Sequence, residues 1–185
     1  TNATHFVGQP AVNALLGDNF AVVAQDPDFS DSAIHRSFSE KYQEAHCIAD
    51  TSPESIVAAV FERYHKLDVL FSNDDFPAIH VPLEDADPAG LIAIFNQLDV
   101  FPFRLLQAVT PRFKQQGSGN IVMVTSCRTE LPMAGGAIPD MARAASNALV
   151  KSASVELAPF NIPVNAIAPN FLYSEAYFPR AKYID

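Results

Sequence analysis

Glycine is scarce in this chain, 7 of 185 residues, and tryptophan is absent. A loop that lets backbone close on a phosphate needs several glycines in one place, so a glycine-rich phosphate cradle is not expected. Cysteine is rarer still. Cys47 and Cys127 stand far apart and fit neither a disulfide framework nor the paired spacing of a zinc site. The default is a reduced, cytoplasmic setting with no metal. Basic residues are outnumbered 12 to 21, for a formal charge of -9. A nucleic-acid-binding face needs a basic footprint, so no nucleic-acid partner is expected. The longest unbroken aliphatic–aromatic run is Ile56-Val57-Ala58-Ala59-Val60-Phe61. It falls far short of the ~20 residues that cross a bilayer, and no membrane association is expected. A charged segment followed by an apolar one, the mark of a signal peptide, is not visible at the start.

What is present suffices for a core: 49% of residues are apolar and 18% charged. The length suits one domain over residues 1–185. The chain opens without Met and stops without a capping element, so it reads as incomplete at both ends. Short apolar runs at 20–24, 46–49, 68–72, 120–125 and 163–168 predict buried strands. Helices are predicted over 31–43, 53–65, 89–113 and 140–157. Ser52 and Pro53 are a strong start signal, a cap followed by a residue suited to the first helical position. Pro102 and Pro111 predict a kink or split in the long third helix. Continuous apolar strands separated by helices predict an α/β fold with a doubly wound parallel sheet. Ligands of such sheets bind at the carboxyl ends of the strands, here residues 1–8, 26–29, 73–77, 126–131 and 169–178.

Five features fall in order along those segments: Thr1-Asn2-Ala3-Thr4-His5-Phe6-Val7-Gly8, Ser72-Asn73-Asp74-Asp75-Phe76, Thr125-Ser126, Arg143-Ala144-Ala145 and Pro169-Asn170-Phe171-Leu172. Together they resemble the short-chain dehydrogenase/reductase superfamily, and within it the halohydrin dehalogenases, its cofactor-free branch. The resemblance covers nearly the whole chain. It implies a Rossmann-like sheet that here lacks most of the first strand and the C-terminal helix and strand.

The resemblance also implies roles. Asn2 and Phe6 stand at two of the three glycines of the superfamily's nucleotide-binding loop, and only Gly8 remains. No cofactor is therefore implied. Phe6 either lines a halide pocket, as an aromatic does in the dehalogenases, or simply fills the core. His5 reads as a turn or surface residue. Asp74 either orients Arg143 or bonds locally in a strand-end turn, and Asp75 reads as solvated. Ser126 is expected to hydrogen-bond the substrate oxygen, and Arg143, 17 residues on, to depress the pKa of a tyrosine base. The base deprotonates a haloalcohol hydroxyl, and the alkoxide displaces halide to close an epoxide. The tyrosine belongs four residues before the arginine, and that position is Pro139. Asp140, Tyr173 and Tyr177 are the alternatives for a base. Cys127 reads as a small buried residue. Pro169, Asn170, Phe171 and Leu172 resemble the loop that holds halide, with Phe178 closing the pocket; the same stretch also reads as a plain loop. Asp26 stands where an acid can bind an adenosine ribose. A helix rich in small residues (Ala142, Ala144, Ala145, Ser146, Ala148, Ser152, Ala153) implies a homo-oligomer by analogy.

Three functions follow. The first is a haloalcohol dehalogenase-like lyase with an altered or lost base, taking a haloalcohol, or an epoxide with halide. The second is a non-catalytic binding or structural subunit, a pseudoenzyme with a protein partner. The third is an NAD(P)-dependent oxidoreductase, which requires both glycines and the tyrosine to be dispensable.

Overall fold

The computed structural model describes residues 1–77, 79–130 and 132–169. The helices among them are α1 (Gly8–Gly17), α2 (Ser32–Lys41), α3 (Pro53–Tyr64), α4 (Pro88–Phe95), α5 (Phe101–Gln116) and α6 (Ala137–Leu157). The strands are β1 (Val23–Gln25), β2 (His46–Ile48), β3 (Val69–Ser72), β4 (Asn120–Val124) and β5 (Val164–Ile167). All paired strands run parallel: β1 with β2, and β3 with β4 and then β5. This is the α/β architecture the sequence predicts.

Much of the proline serves helix starts. Pro53 follows the Ser52 cap, whose Oγ accepts the Ser55 N–H at 3.1 Å. Pro88 follows Asp87, which caps the Ala89 N–H at 2.9 Å. The missing proline N–H costs nothing there, because the first N–H groups of a helix have no internal partner. Helix α3 ends at His65, which takes left-handed backbone and donates to the Phe61 carbonyl.

The predicted kink in the long helix falls elsewhere. Pro102 lies in the first turn of α5, and Pro111 sits inside α5 without ending it. The interruption is a π-helical turn at Asn96–Val100. A second difference concerns α6, which starts at Ala137 and not at 140. Pro139 is then its third residue, still within the first turn, where no N–H is needed.

The larger core packs α3, α5 and α6 on β3, β4 and β5, with Leu105, Val109, Phe113, Ile121 and Ile162 all fully buried. Each such side chain contributes roughly 1.5–3 kcal/mol. A smaller core gathers Ala3, Val12, Val22, Ala24, Phe29, Phe38 and Tyr42 around β1, α1 and α2. Among the described residues β1 and β2 form one sheet and β3, β4 and β5 another. A cavity of about 410 Å³ lies between residues of the two, lined by Val12, Leu15, Val22, Ile56, Val60 and Leu70.

The segment before α1 bridges the gap at its upper end. The Thr1 nitrogen donates to the Phe71 carbonyl at 2.9 Å, and the Ala3 N–H to the Gln25 carbonyl at 3.0 Å. The Asn2 amide donates to the Asn73 carbonyl at 2.7 Å, and the Asn73 amide returns to the carbonyls of Asn2 and His5, both at 2.9 Å.

Candidate functional site

Ser72 pairs with Met123 in the β3–β4 ladder, so the residues after each strand emerge at one level. Asp74 leaves β3 with 2% of its surface exposed. Its Oδ2 accepts the Ser72 hydroxyl at 2.6 Å, and its Oδ1 is buried with no partner among the described residues. Burial pushes this carboxyl up to about 6, against the lowering pull of the Ser72 hydroxyl and Arg143. Thr125, the residue after β4, is also buried, and its hydroxyl has no partner among the described residues.

Arg143 comes from α6 and reaches the same place. It is 7% exposed, and its Nη1 donates to the Val124 carbonyl at 3.3 Å. Its charge acts on Asp74, Asp75 and Asp99. Among the described residues none of these carboxylates closes an ion pair with it within 4.0 Å. Asp75, expected to be solvated, is instead half-buried, and burial raises its carboxyl above the usual range. The reason is local: it follows the strand end into the loop beneath His5 rather than into solvent.

Ser126 is half-buried beyond the end of β4. Its Oγ accepts the Arg128 N–H at 3.1 Å and donates to the Pro169 carbonyl at 3.3 Å. The Cys127 N–H reaches the same carbonyl at 3.3 Å. The expected serine and the start of the expected halide loop are thus brought together. Asn170, Phe171, Leu172, Tyr173, Tyr177 and Phe178 lie outside the described residues.

Pro139 stands half-buried one helical turn before Arg143, so the two share a face of α6. The resemblance expects a tyrosine base at this position, and the residue there is proline, whose ring carries no exchangeable proton. Asp140, raised above as a replacement, turns away to an ion pair with Arg128 Nε. Its carboxylate is committed there.

A dinucleotide fits these residues poorly. Asn2 and Phe6 both take left-handed backbone, φ 49° and 42°. The chain keeps the path of a glycine loop but carries side chains where backbone must approach a pyrophosphate. Asp26 is fully buried, and its two oxygens accept the Thr4 N–H, the Thr4 hydroxyl and the Asp28 N–H at 2.6–2.9 Å. It closes the loop locally instead of facing a ribose. His5 is exposed, as expected, against Asp28 at 3.1 Å.

Gly8 has a packing role. A Cβ there would lie 2.5 Å from the Asn2 carbonyl oxygen and 2.6 Å from that of Ala3. These are backbone atoms that have no rotamer to move. Gly8→Ala is expected to lower stability by at least ~1–3 kcal/mol, read as a reduced urea midpoint at unchanged slope.

Two site residues carry no motif. Asn147, one turn past Arg143, donates to the Ser126 carbonyl at 2.8 Å. Asp99 receives the Ser146 hydroxyl at 2.9 Å. An acid in an apolar stretch was the available signal for Asp99.

The family model for short chain dehydrogenases matches residues 1–180. The chain belongs to this family. A probable galactose dehydrogenase of Rhizobium meliloti is 34% identical over 66% of this short-chain dehydrogenase chain and 48% of its own length. Dehydrogenase/reductase SDR family member 4 of Homo sapiens is 26% identical over 71% of the chain and 47% of its own length. The chain therefore spans about half the length of these curated relatives. Among solved structures, a dehalogenation enzyme is 32% identical with a TM-score of 0.92, covering 97% of this chain and 74% of that one. A halohydrin dehalogenase bound to ethyl (2S)-oxiran-2-ylacetate is 29% identical with the same TM-score, covering 98% and 74%. This member of the family thus resembles the halohydrin dehalogenases, as the motifs imply.

Proposed function

We propose that this chain is a dehalogenase-type short-chain dehydrogenase protein whose pocket takes a haloalcohol, or an epoxide with halide, and whose base step has been lost. One observation carries the reading. The face of α6 that presents Arg143 presents proline at position 139, while the neighbouring Asp140 is paired with Arg128. Ser126, beside Pro169, supplies the hydroxyl for the substrate oxygen. The epoxide ligand of the similar halohydrin dehalogenase supports the substrate class. The poor fit of Asn2, Phe6 and Asp26 to a dinucleotide supports a pocket that works without one.

The test is calorimetric titration of bromide and a short epoxide into the full-length protein, beside an assay of halide release from vicinal haloalcohols. Binding without release is the expected result. Release by the unmodified protein would overturn the loss of the base, and absence of binding would overturn the pocket.

We also propose a homo-oligomer joined through α4, α5 and α6. The helical run Pro88–Gln116 is long and apolar enough to cross a membrane by composition. Part of it faces the cores, but Ile92 and Phe103 are 63% and 51% exposed. On α6, Met141 and Val155 are exposed with the small Ala144 and Ala148 between them. Small residues allow close helix approach, and a second copy offers the same apolar stripes. Ile92→Lys with Phe103→Lys is expected to shift the protein to monomer mass in light scattering; an unchanged mass rejects this interface.

A further inference from the structure

The run Pro88–Gln116 contains one irregular turn with no local sequence reason. At Asn96–Val100 the backbone widens to π geometry, and the Phe101 N–H reaches back to the Asn96 carbonyl. A π turn inserts one extra residue, re-aims the side chains around it, and recurs at functional sites. Here it lays Leu98 and Asp99 against α6. Leu98 is 2% exposed, and its carbonyl accepts the Ser146 hydroxyl at 3.1 Å.

Asp99 is held there by one bond only. Its Oδ1 accepts from Ser146 at 2.9 Å, and its Oδ2 is buried without a partner among the described residues. Ser146 lies three residues past Arg143 on α6, hence on the same face. Arg143 is the cation whose charge acts on Asp99. Asp99 is thus bonded to the face of α6 that carries Arg143, and the guanidinium's charge acts on carboxylates from two elements: Asp74 and Asp75 after β3, and Asp99 in the π turn.

We propose that Asp99 is a positioning residue for Arg143, its carboxylate carried by the π turn to balance the guanidinium from the helical side as Asp74 does from the strand side. Beside its hydrogen bond to the Val124 carbonyl, the guanidinium has no ion pair in contact among the described residues and is placed by the field around it. Removing one flank tips Arg143 toward the other and away from the carboxyl ends of β3 and β4. Burial raises the Asp99 carboxyl to about 6, so its flank switches on across the physiological range. The groups that face Arg143 in this balance are Asp74, Asp75 and Asp99. The inference rests on Arg143 being the cation of the proposed site but on no particular substrate, and its readout is the guanidinium itself. Failure of the halide pocket and failure of this inference are thus separable.

The test is NMR of the full-length protein carrying ¹⁵N-labelled arginine and ¹³C-labelled aspartate. The Arg143 Nε–H signal is expected to move between pH 5 and 7 with a step that tracks the Asp99 carboxyl carbon. Asp99→Asn keeps a partner for the Ser146 hydroxyl but loses the charge. It is expected to displace the Arg143 signal and remove the part of the step that tracks the Asp99 carboxyl carbon, leaving the part that tracks Asp74, with the other arginines unmoved. Ser146→Ala keeps the charge and is expected to retain the step at a higher midpoint. Asp99→Asn with an unchanged Arg143 signal and pH profile would overturn the proposal, leaving Asp99 as an anchor for α6 alone. If that variant does not fold, the unmodified protein decides: an Arg143 signal that follows only Asp74 overturns it equally.

Discussion

Pro139→Tyr is expected to release halide from vicinal haloalcohols where the unmodified protein releases none. The substitution restores an ionisable hydroxyl one turn before Arg143, on the face of α6 that carries the guanidinium. A cation at that distance stabilises phenolate and lowers the tyrosine pKa. A positioned base contributes typically ~10²–10⁴-fold, which lifts release well above solution background. Proline is replaced within the first turn, where the regained N–H needs no internal partner, so the backbone is not expected to suffer. Asp140→Asn serves as the control: because Asp140 is paired with Arg128, neutralising it is expected to leave the activity of the tyrosine variant within a few-fold. Silence from Pro139→Tyr alongside intact bromide binding would show that Ser126 and Arg143 are no longer placed for catalysis. Silence together with loss of bromide binding would remove the pocket altogether.

The second large effect is on stability against pH, and its sign is the reverse of an ordinary salt-bridged acid. Burial raises the Asp74 carboxyl to about 6 in the folded protein from its ordinary value near 3.8. Between those values the native state holds a proton that the unfolded chain has released. Stability therefore falls as pH rises from about 4 to about 6 and is level above, because the cost of a buried charge is then fully present. At about 1.4 kcal/mol per unit, the whole cost is roughly 3 kcal/mol. Asp74→Asn keeps an acceptor for Ser72 and removes the charge. It is expected to stabilise the protein by up to that amount at pH 8 and by nothing at pH 4, read from denaturant midpoints at both pH values. A variant less stable at pH 8 would mean that the field of Arg143 outweighs the burial.

Much of the fold was legible in local signals. The Ser52-Pro53 cap and the apolar runs ending at Ser72 and Thr125 are written in neighbouring residues, and the structure follows them within a few positions. The candidate site was legible only where a motif carried it. Ser126, Arg143, Asp74 and Pro139 were named by the resemblance to the halohydrin dehalogenases that the ordered motifs carry. The pairing of Arg128 with Asp140 joins a loop to a helix twelve residues on, and nothing short-range specifies it. The π turn at Asn96–Val100 follows no residue preference; it exists because Leu98 and Asp99 have α6 to meet. Asp75 looked like a surface acid because burial of a strand-end loop depends on what folds over it. Pro111 illustrates the opposite error. A proline inside a pattern predicts a break, yet packing of Val109 and Phe113 into the larger core outweighs the lost helical bond.

The crossed amides of Asn2 and Asn73 fasten the segment before α1 to the strand end that carries Asp74. Each side chain donates to the other's backbone carbonyl, so loss of either one leaves a buried carbonyl of its partner without that bond. Local opening of the segment before α1 and of the turn after β3 is therefore a single event, and their amide protons exchange with solvent together.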